Sequence, residues 1–254
     1  MQHFEQVAWV LHSRPYRETS ALVTFFSAEQ GKFNAIARSV RGGKKAQGKA
    51  ALLQPFRPLQ LRWQARVTQP LPTLSAFESA GSHFPLQGQT AVCGLYINEL
   101  LYRLLYPGLA QEALFQDYTQ VLWALTKLQL QPIEQQSYTQ ACALRWFEWH
   151  LLDTLGHGIE WSQDAHGQAI ADELDYVYQP HTGFWPWHPA LGIPQTQAIS
   201  GRCVQQLAAA RQPWPFCPPA FCLKSLRQLL SQALAPHLGS QPIQARKLLL
   251  KSLK

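Results

Sequence analysis

The spacing of apolar residues changes after residue 89, and this change constrains the fold more than any other feature of the chain. Before it, short apolar runs alternate with polar residues, as in LQLRW at 59–63, which is typical of strands. After it, apolar residues recur every three or four positions, as in TAVCGLYINELLYRLLYP at 90–107. The sequence therefore predicts a β-rich N-terminal part followed by a helical part.

The first 80 residues contain several segments with strand character, separated by turn residues. They are residues 7–12, 20–27, 32–40 and 59–63. No amphipathic helix of useful length fits among them. About five short strands in roughly 80 residues predict a small closed barrel or a sandwich. We expect the basic stretch SVRGGKKAQGK at 39–49 to form a glycine-rich loop at its rim.

The rest of the chain has helical spacing, with one irregular interruption. Helices are predicted at 90–107, 111–128, 134–155, 202–210, 219–235 and 242–253, the last with Pro242 in its first turn. Residues 157–200 are irregular and contain one plausible hairpin at 174–187. We expect two domains, residues 1–80 and residues 81–254.

The charges are sorted along the chain. Residues 1–66 carry 11 basic and 3 acidic side chains, residues 67–201 carry 3 and 12, and residues 202–254 carry 8 and none. No acid lies between Glu29 and Glu78, and none follows Asp175. Such segregation favours attraction of a polyanion, since solubility alone needs net charge but no sorting.

No motif predicts catalysis, and we expect no enzyme activity and no cofactor. Carboxylates lie close together only at Asp172, Glu173 and Asp175, and no basic or nucleophilic residue is fixed beside them by spacing. The chain also lacks the phosphate loop, the serine elbow and the paired-histidine zinc motif.

The cysteines and histidines predict neither a disulfide framework nor a metal site. The five cysteines are scattered and odd in number, which fits a reducing compartment. Cys217 and Cys222 form a pair, but no second pair completes a zinc site, although four histidines lie at 157–188. We expect both cysteines to pack as small apolar residues.

The N-terminus lacks a signal-peptide pattern, and no apolar run approaches the roughly 18 residues of a membrane span. These features favour a cytoplasmic protein without membrane association.

Several ordered stretches resemble one protein family along nearly the whole chain. They are VLHSRPYRETSALVTFFSAEQGKFNAIARSVR, LLQPFRPLQLRW, GLYINELLYRLL, ALFQDY, RWFEWHLLDTLGHG and HLGSQPIQARKLLL. This order looks like the bacterial recombination mediator family RecO. The resemblance is weak at 157–218, where some members carry a four-cysteine zinc ribbon and this chain has EWSQDAHGQ, so the zinc is not carried over.

The resemblance implies an α+β protein with an N-terminal OB-fold β-barrel and a helical domain interrupted by the irregular hairpin. It also implies binding of single- and double-stranded DNA, annealing of complementary strands, and action with RecR and, in some routes, RecF. Together they load RecA onto gaps covered by single-strand-binding protein. A cytoplasmic, nucleoid-associated bacterial protein is then expected.

Candidate DNA contacts are the basic residues at the two ends of the chain, because phosphate neutralisation supplies most of the affinity for DNA. They are Arg14, Arg17, Lys32, Arg38, Arg41, Lys44, Lys45 and Lys49 in the barrel and Arg227, Arg246, Lys247 and Lys251 near the C-terminus. Some of them would simply be solvated. Tyr16 and Phe33 either stack on bases or, the favoured alternative, pack in the core.

The resemblance also implies a site for the C-terminal tail of single-strand-binding protein at Arg145, with Trp146 and Trp149 beside it. An arginine among aromatic residues can pair with a carboxylate while apolar surface accepts an aromatic tail. The alternative is a surface arginine that pairs with Glu148 or Glu134.

Two other classes of function remain open. An RNA-binding OB-fold protein would prefer RNA over DNA of the same sequence in competition. A structural adaptor would retain no nucleic acid even at about 50 mM salt.

Overall fold

The computed structural model describes residues 2–65, 71–81, 83–128, 130–210 and 214–251. The chain forms two compact units, one made of residues up to Lys127 together with those from Ile243 onward, and one made of Leu128–Pro242. The boundary between these units does not coincide with the change from mainly strands to helices, which falls near residue 80. The division into domains 1–80 and 81–254 stays a prediction.

Five antiparallel strands form the N-terminal sheet of the first unit, in the order β3-β2-β1-β4-β5. They are β1 (Gln2–Tyr16), β2 (Ser20–Ser27), β3 (Gly31–Ala37), β4 (Pro58–Ala65) and β5 (Leu74–Ser79). The sheet closes where Ile36 N donates a hydrogen bond to Pro72 O at 2.9 Å, beside a parallel bridge from Ile36 to Thr73. This closed five-stranded arrangement is the expected OB-fold.

Alternation within the strands fills the barrel. In β3, residues alternate between buried and more exposed positions. Phe33 stacks on Trp63 with ring centroids 5.3 Å apart, and Phe25 stacks on Phe33 at 5.6 Å. Phe33 is therefore a core residue, as the favoured alternative has it, and is not free to stack on a base.

One prediction for the barrel is wrong, because the stretch that we expect to be a loop contains a helix. Helix α1 spans Lys44–Leu52, between β3 and β4. Gly42 and Gly43 have φ angles of 83° and 81°, a conformation that favours glycine and separates β3 from the helix. Alanine, lysine and glutamine are good helix formers, and Ala46 is buried in the folded chain, which spacing alone does not reveal.

Three helices complete the first unit: α2 (Gly88–Leu104), α3 (Glu112–Leu128) and α7 (Gln244–Lys251). Asn98 of α2 donates its amide N–H to Val10 O at 3.2 Å, and Tyr118 of α3 donates its hydroxyl to Asn98 Oδ1 at 2.6 Å. These buried hydrogen bonds fix both helices on β1. Pro242 precedes α7 and does not lie in its first turn.

The second unit combines α4 (Ile133–Thr154), α5 (Gly201–Ala209) and α6 (Cys222–Leu238) with a small antiparallel sheet. The sheet consists of β6 (Asp175–Gln179), β7 (Gly183–Pro186) and β8 (Ile199–Ser200), in the order β7-β6-β8. The expected hairpin is β6 and β7. Trp161 stacks on Trp149 with centroids 4.3 Å apart and lies 5.6 Å from the Phe184 ring, so aromatic residues of the irregular segment fill the core of this unit.

The cysteines differ from the expectation at two points. The sulfur atoms of Cys203 and Cys222 are in contact, with Cα atoms 5.7 Å apart, a separation that suits a disulfide. The sequence predicts no disulfide framework and gives no indication of this one pair, whereas Cys93, Cys142 and Cys217 form no disulfide in the described part of the chain. Cys222 is buried as expected, whereas Cys217 is exposed.

None of the described helices combines the length with the apolar character that a membrane span requires.

Candidate nucleic-acid interface

Two arginines meet at one end of the barrel, where the β1–β2 turn lies against the residues that follow β3. The main-chain nitrogens of Val40 and Arg41 donate hydrogen bonds to Thr19 O at 2.9 and 3.1 Å. Arg41 Nη1 donates to Arg17 O at 3.4 Å. The Arg17 guanidinium lies 5.3 Å from the centre of the Tyr16 ring. The turn thus places two exposed cations next to each other.

An open pocket of about 420 Å³ lies at the same end of the barrel. Its buried lining is apolar and includes Val10, Ala21, Val40 and Leu53. Its exposed lining includes Arg14 and Arg41. The pocket therefore joins apolar surface to cationic side chains, and we call it the barrel-end pocket.

A β-bulge shapes one wall of the pocket. The pairing of β1 with β2 shifts between Val10 and His12, which leaves Leu11 as the extra residue. A bulge bends its strand and turns the following side chains to new directions. All three residues line the pocket.

Another arginine of the barrel has its charge compensated by carboxylates. Arg62 Nε lies 3.0 Å from Glu5 Oε1, and its Nη2 lies 2.8 Å from Glu78 Oε1. The hydrogen bond and charge of Glu5, together with Glu78, raise the pKa of the Arg62 guanidinium. Arg62 is thus a less suitable phosphate ligand than Arg17 or Arg41, although all three are basic residues of the same barrel.

Comparison with known proteins identifies the family. A family model described as recombination protein O N terminal matches residues 1–83, and one described as recombination protein O C terminal matches residues 86–247. The chain belongs to the RecO family. This membership gives it a role in DNA repair and recombination.

Relatives match over nearly their full length. A protein named DNA repair protein RecO from Pseudomonas paraeruginosa is 40% identical, and the alignment covers 96% of this chain and 93% of the relative. The protein of the same name from Stutzerimonas stutzeri is 40% identical, with 96% and 92% covered. That from Yersinia pestis is 34% identical, again with 96% and 92% covered.

The structure brings together only part of the basic set expected from the RecO resemblance. Arg14, Arg17 and Arg41 gather at the barrel end. Arg38 and Lys49 are exposed, the first directly after β3 and the second in the last turn of α1. Lys44 and Lys45 begin α1, but their side chains lie outside the described part of the structure.

Lys32 has a different environment from the other candidates. Its ammonium donates a hydrogen bond to Tyr102 O at 2.7 Å and lies 5.8 Å from the centre of the Tyr102 ring. Partial burial lowers the pKa of this ammonium group. Lys32 therefore ties β3 to α2, and this contact competes with any contact to phosphate.

The C-terminal candidates do not belong to one compact unit. Lys247 is exposed on α7, which belongs to the barrel unit, whereas Arg227 is exposed on α6 in the second unit. Arg246 and Lys251 also lie on α7, but their side chains are outside the described part. The expected second DNA surface stays a prediction.

Arg145, Trp146 and Trp149 are all buried, with 6%, 2% and 2% of their surface exposed. Arg145 forms a close ion pair with Glu148, one turn further along α4. The alternative to a tail-binding arginine is a surface arginine paired with Glu148 or Glu134. The structure has the pair with Glu148, but this pair lies in the interior and not on the surface. Docking of a tail stays a prediction, and it would require displacement of the residues that cover Arg145.

Histidines of the irregular segment meet at the end of α6. The rings of His157 and His237 stack with centroids 3.8 Å apart, and His181 lies 6.0 Å from His237. Burial, together with the nearby His157 and His181, lowers the pKa of His237. Among the described residues, no group of three or more histidine, cysteine or acidic side chains is arranged to hold a metal ion.

The sequence reasoning missed several pocket residues. His12, Gln54 and Leu95 line the pocket, yet they belong to β1, the turn after α1, and α2. Only the closed barrel brings these three segments together. No sequence signal marks Leu95 as a pocket residue, because its 37% exposure on the otherwise largely buried α2 is visible only in the structure.

Proposed function

We propose that the chain is a non-enzymatic recombination mediator that binds single- and double-stranded DNA through its barrel. It anneals complementary strands and helps to load RecA onto DNA coated with single-strand-binding protein. RecR, in some routes RecF, and the tail of single-strand-binding protein are the proposed protein partners. These partners rest on the family resemblance alone.

The observation that carries the DNA-binding proposal is the arginine group at the barrel end. Arg14, Arg17 and Arg41 are exposed at one end of an OB-fold barrel. The guanidinium group matches phosphate oxygens with paired hydrogen bonds, so three such groups can follow a DNA backbone. Glu18 is the one acid of the β1–β2 turn.

Binding of this kind is expected to be indifferent to base sequence and sensitive to salt. Each phosphate that the protein neutralises releases condensed counterions, so log K falls linearly with log salt. Aromatic and apolar surface beside the cations adds contacts to bases that any base can make. Annealing needs such tolerance, because the two strands can have any complementary sequence.

The acidic residues offer little support for catalysis. Asp172 and Glu173 are exposed, and Asp175 Oδ2 accepts a hydrogen bond from Gln195 Nε2 at 2.6 Å. General acid–base catalysis needs a carboxylate positioned beside a bound substrate, whereas these carboxylates are exposed or paired with an amide. We therefore place the function in binding and strand pairing.

The deciding experiment is annealing of complementary strands coated with single-strand-binding protein, with and without this chain. We expect the chain to accelerate annealing and the Arg17→Ala, Arg41→Ala double variant to lose most of this effect. Arg62→Ala with a second substitution, Arg202→Ala, is the control, since it removes the same formal charge from two residues outside the barrel-end group: Arg62 is paired with Glu5 and Glu78, and Arg202 is exposed on α5 of the second unit. No acceleration by the unaltered chain would overturn the proposal. RNA oligomers that bind more tightly than DNA would favour an RNA-binding protein instead.

A further inference from the structure

We propose that the barrel-end pocket holds one unstacked base of a bound single strand, while Arg14 and Arg41 contact the phosphates on either side of that base. The inference rests on the proposed DNA binding and adds a base-holding site to it. The pocket would make the protein distinguish single strands from duplex, which phosphate contacts alone do poorly.

The size of the pocket fits a single nucleotide unit. Its volume of about 420 Å³ lies toward the lower end of the roughly 300–1,000 Å³ found for small-molecule sites. A duplex is too wide to enter a pocket of this size. A base can enter only when it is neither paired nor stacked within a helix.

The lining has the two properties that recognition of any base requires. Val10, Val40 and Leu53 provide a buried apolar surface, and Pro15 and Leu95 extend it toward solvent. Every base has an apolar face that gains from such contact. His12, Ser13 and Gln54 are the exposed hydrogen-bonding residues of the lining, and they can pair with the polar edge of the base.

Charge at the pocket identifies its occupant as part of a polyanion. Arg14 and Arg41 line the pocket, the Arg17 carbonyl holds Arg41, and none of the lining residues is acidic. An uncharged apolar ligand would gain nothing from these guanidinium groups. A nucleotide within a strand can contact both the apolar and the cationic residues of the lining, because its base is apolar on both faces and its phosphates are anionic.

The exposed leucine at the pocket edge supports a binding role. Leu95 is 37% exposed on α2, whereas its neighbours Gly94 and Tyr96 are buried. A large apolar side chain left partly in water beside cationic residues loses solvent contact when a base covers it. The β-bulge at Leu11 also supports a binding role for the pocket, since bulges are frequent next to active sites.

Filling the pocket tests the proposal. Ala50 of α1 lines the pocket, whereas its neighbour Ala51 is exposed on the same helix and does not. We expect Ala50→Trp to block the pocket and Ala51→Trp to serve as the matched control. Gln54→Trp, at an exposed lining position, is a second blocking variant that tests the same point if Ala50→Trp fails to fold.

The probes are a single-stranded oligomer and an oligomer of the same length with several abasic sites. For the unaltered chain and Ala51→Trp we expect the abasic oligomer to bind about tenfold more weakly, which is within the range for loss of one base contact. For Ala50→Trp and Gln54→Trp we expect both oligomers to bind alike, at the weaker level. Duplex affinity should be the same for all four proteins.

A fluorescent base analogue gives an independent readout. A single 2-aminopurine in the strand should gain emission on binding to the unaltered chain, because the base leaves its stack, and this gain should vanish in the blocked variants. Equal binding of both oligomers to the unaltered chain, with normal salt dependence, overturns the base pocket but not the DNA binding. Absence of salt-dependent binding to any DNA overturns the proposed function itself. Free deoxynucleoside monophosphate that competes as strongly as the strand would show a free-nucleotide site and also overturn the inference.

Discussion

Arg41 donates a hydrogen bond from its guanidinium to the main-chain carbonyl of Arg17, with Nη1 and O 3.4 Å apart. This contact ties the β1–β2 turn to the residues after β3 and keeps two cations at the same end of the barrel. We expect Arg41→Ala to weaken DNA binding for all sequences and to reduce the slope of log K against log salt by about one unit.

The measurement for Arg41 is fluorescence anisotropy of a labelled oligomer at several salt concentrations. Arg62→Ala is the control, because it removes the same charge from a side chain already paired with Glu5 and Glu78. Its slope should stay unchanged. If both variants lose the same slope, net charge and not the barrel-end position governs binding.

Lys44 and Lys45 should act on DNA binding although they begin a helix and do not lie in a loop. The double variant Lys44→Ala, Lys45→Ala should flatten the salt slope by roughly two units, about one for each lost phosphate contact. Since alanine is a better helix former than lysine, helicity measured by circular dichroism should not fall. An unchanged slope would mean that the two lysines are solvated and idle.

Arg145→Ala should act mainly by lowering the stability of the second unit, because Arg145 lies in its interior. The Arg145 and Glu148 side chains are only 7% and 1% exposed, so the variant leaves the Glu148 charge buried without Arg145. Loss of one partner of a buried ion pair costs about 3–5 kcal/mol, whereas apolar replacement of both is close to neutral. Urea unfolding should therefore show a lower midpoint for Arg145→Ala and recovery in Arg145→Leu, Glu148→Leu.

The same double variant tests tail docking without the fold as a confounding factor. A folded Arg145→Leu, Glu148→Leu protein that still binds a peptide of the single-strand-binding protein tail would exclude Arg145 as its receptor. Loss of peptide binding, with DNA affinity retained, would support the proposed site.

Glu99 anchors the last helix to the barrel unit. Its two carboxylate oxygens accept hydrogen bonds from the main-chain nitrogens of Gln244 and Ala245, each at 2.9 Å, at the start of α7. A carboxylate at a helix N-terminus also interacts favourably with the helix dipole. Glu99→Ala should lower the free energy of unfolding by about 1–3 kcal/mol and expose α7 to proteases. Glu99→Gln, which keeps an acceptor, should retain part of the stability; equal losses would argue against capping.

Tyr118 should resist ionisation at alkaline pH. Burial raises the pKa of its hydroxyl well above the usual range, more than the hydrogen bond to Asn98 lowers it. The folded state therefore favours protonated Tyr118, and this contribution to stability is complete below pH of about 10 and declines as pH rises above it. Titration of phenolate absorbance should show the same number of ionising tyrosines in the folded unaltered chain as in Tyr118→Phe, because Tyr118 stays protonated, and one more in the unaltered chain after unfolding. Tyr118→Phe should flatten the loss of stability above pH 10; an unchanged profile would contradict the assignment.

The sequence by itself determined the order and type of most elements. The switch from alternating to helical spacing predicted α2, α3, α4 and the β6–β7 hairpin close to their observed bounds, because side-chain periodicity reports which face of an element is buried. It also determined that cations concentrate at both ends of the chain. It did not find α1, whose nine residues have little amphipathic spacing.

The tertiary structure alone decided which cations act together and which aromatic residues are accessible. Arg62 and Arg41 look equivalent in the sequence, yet only barrel pairing sets Arg62 between Glu5 and Glu78. Trp146 and Trp149 look like surface anchors beside Arg145, yet packing buries all three. Local spacing constrains the backbone, whereas contacts between residues far apart in sequence depend on how the barrel closes and on how the helices pack, and those contacts create the barrel-end pocket.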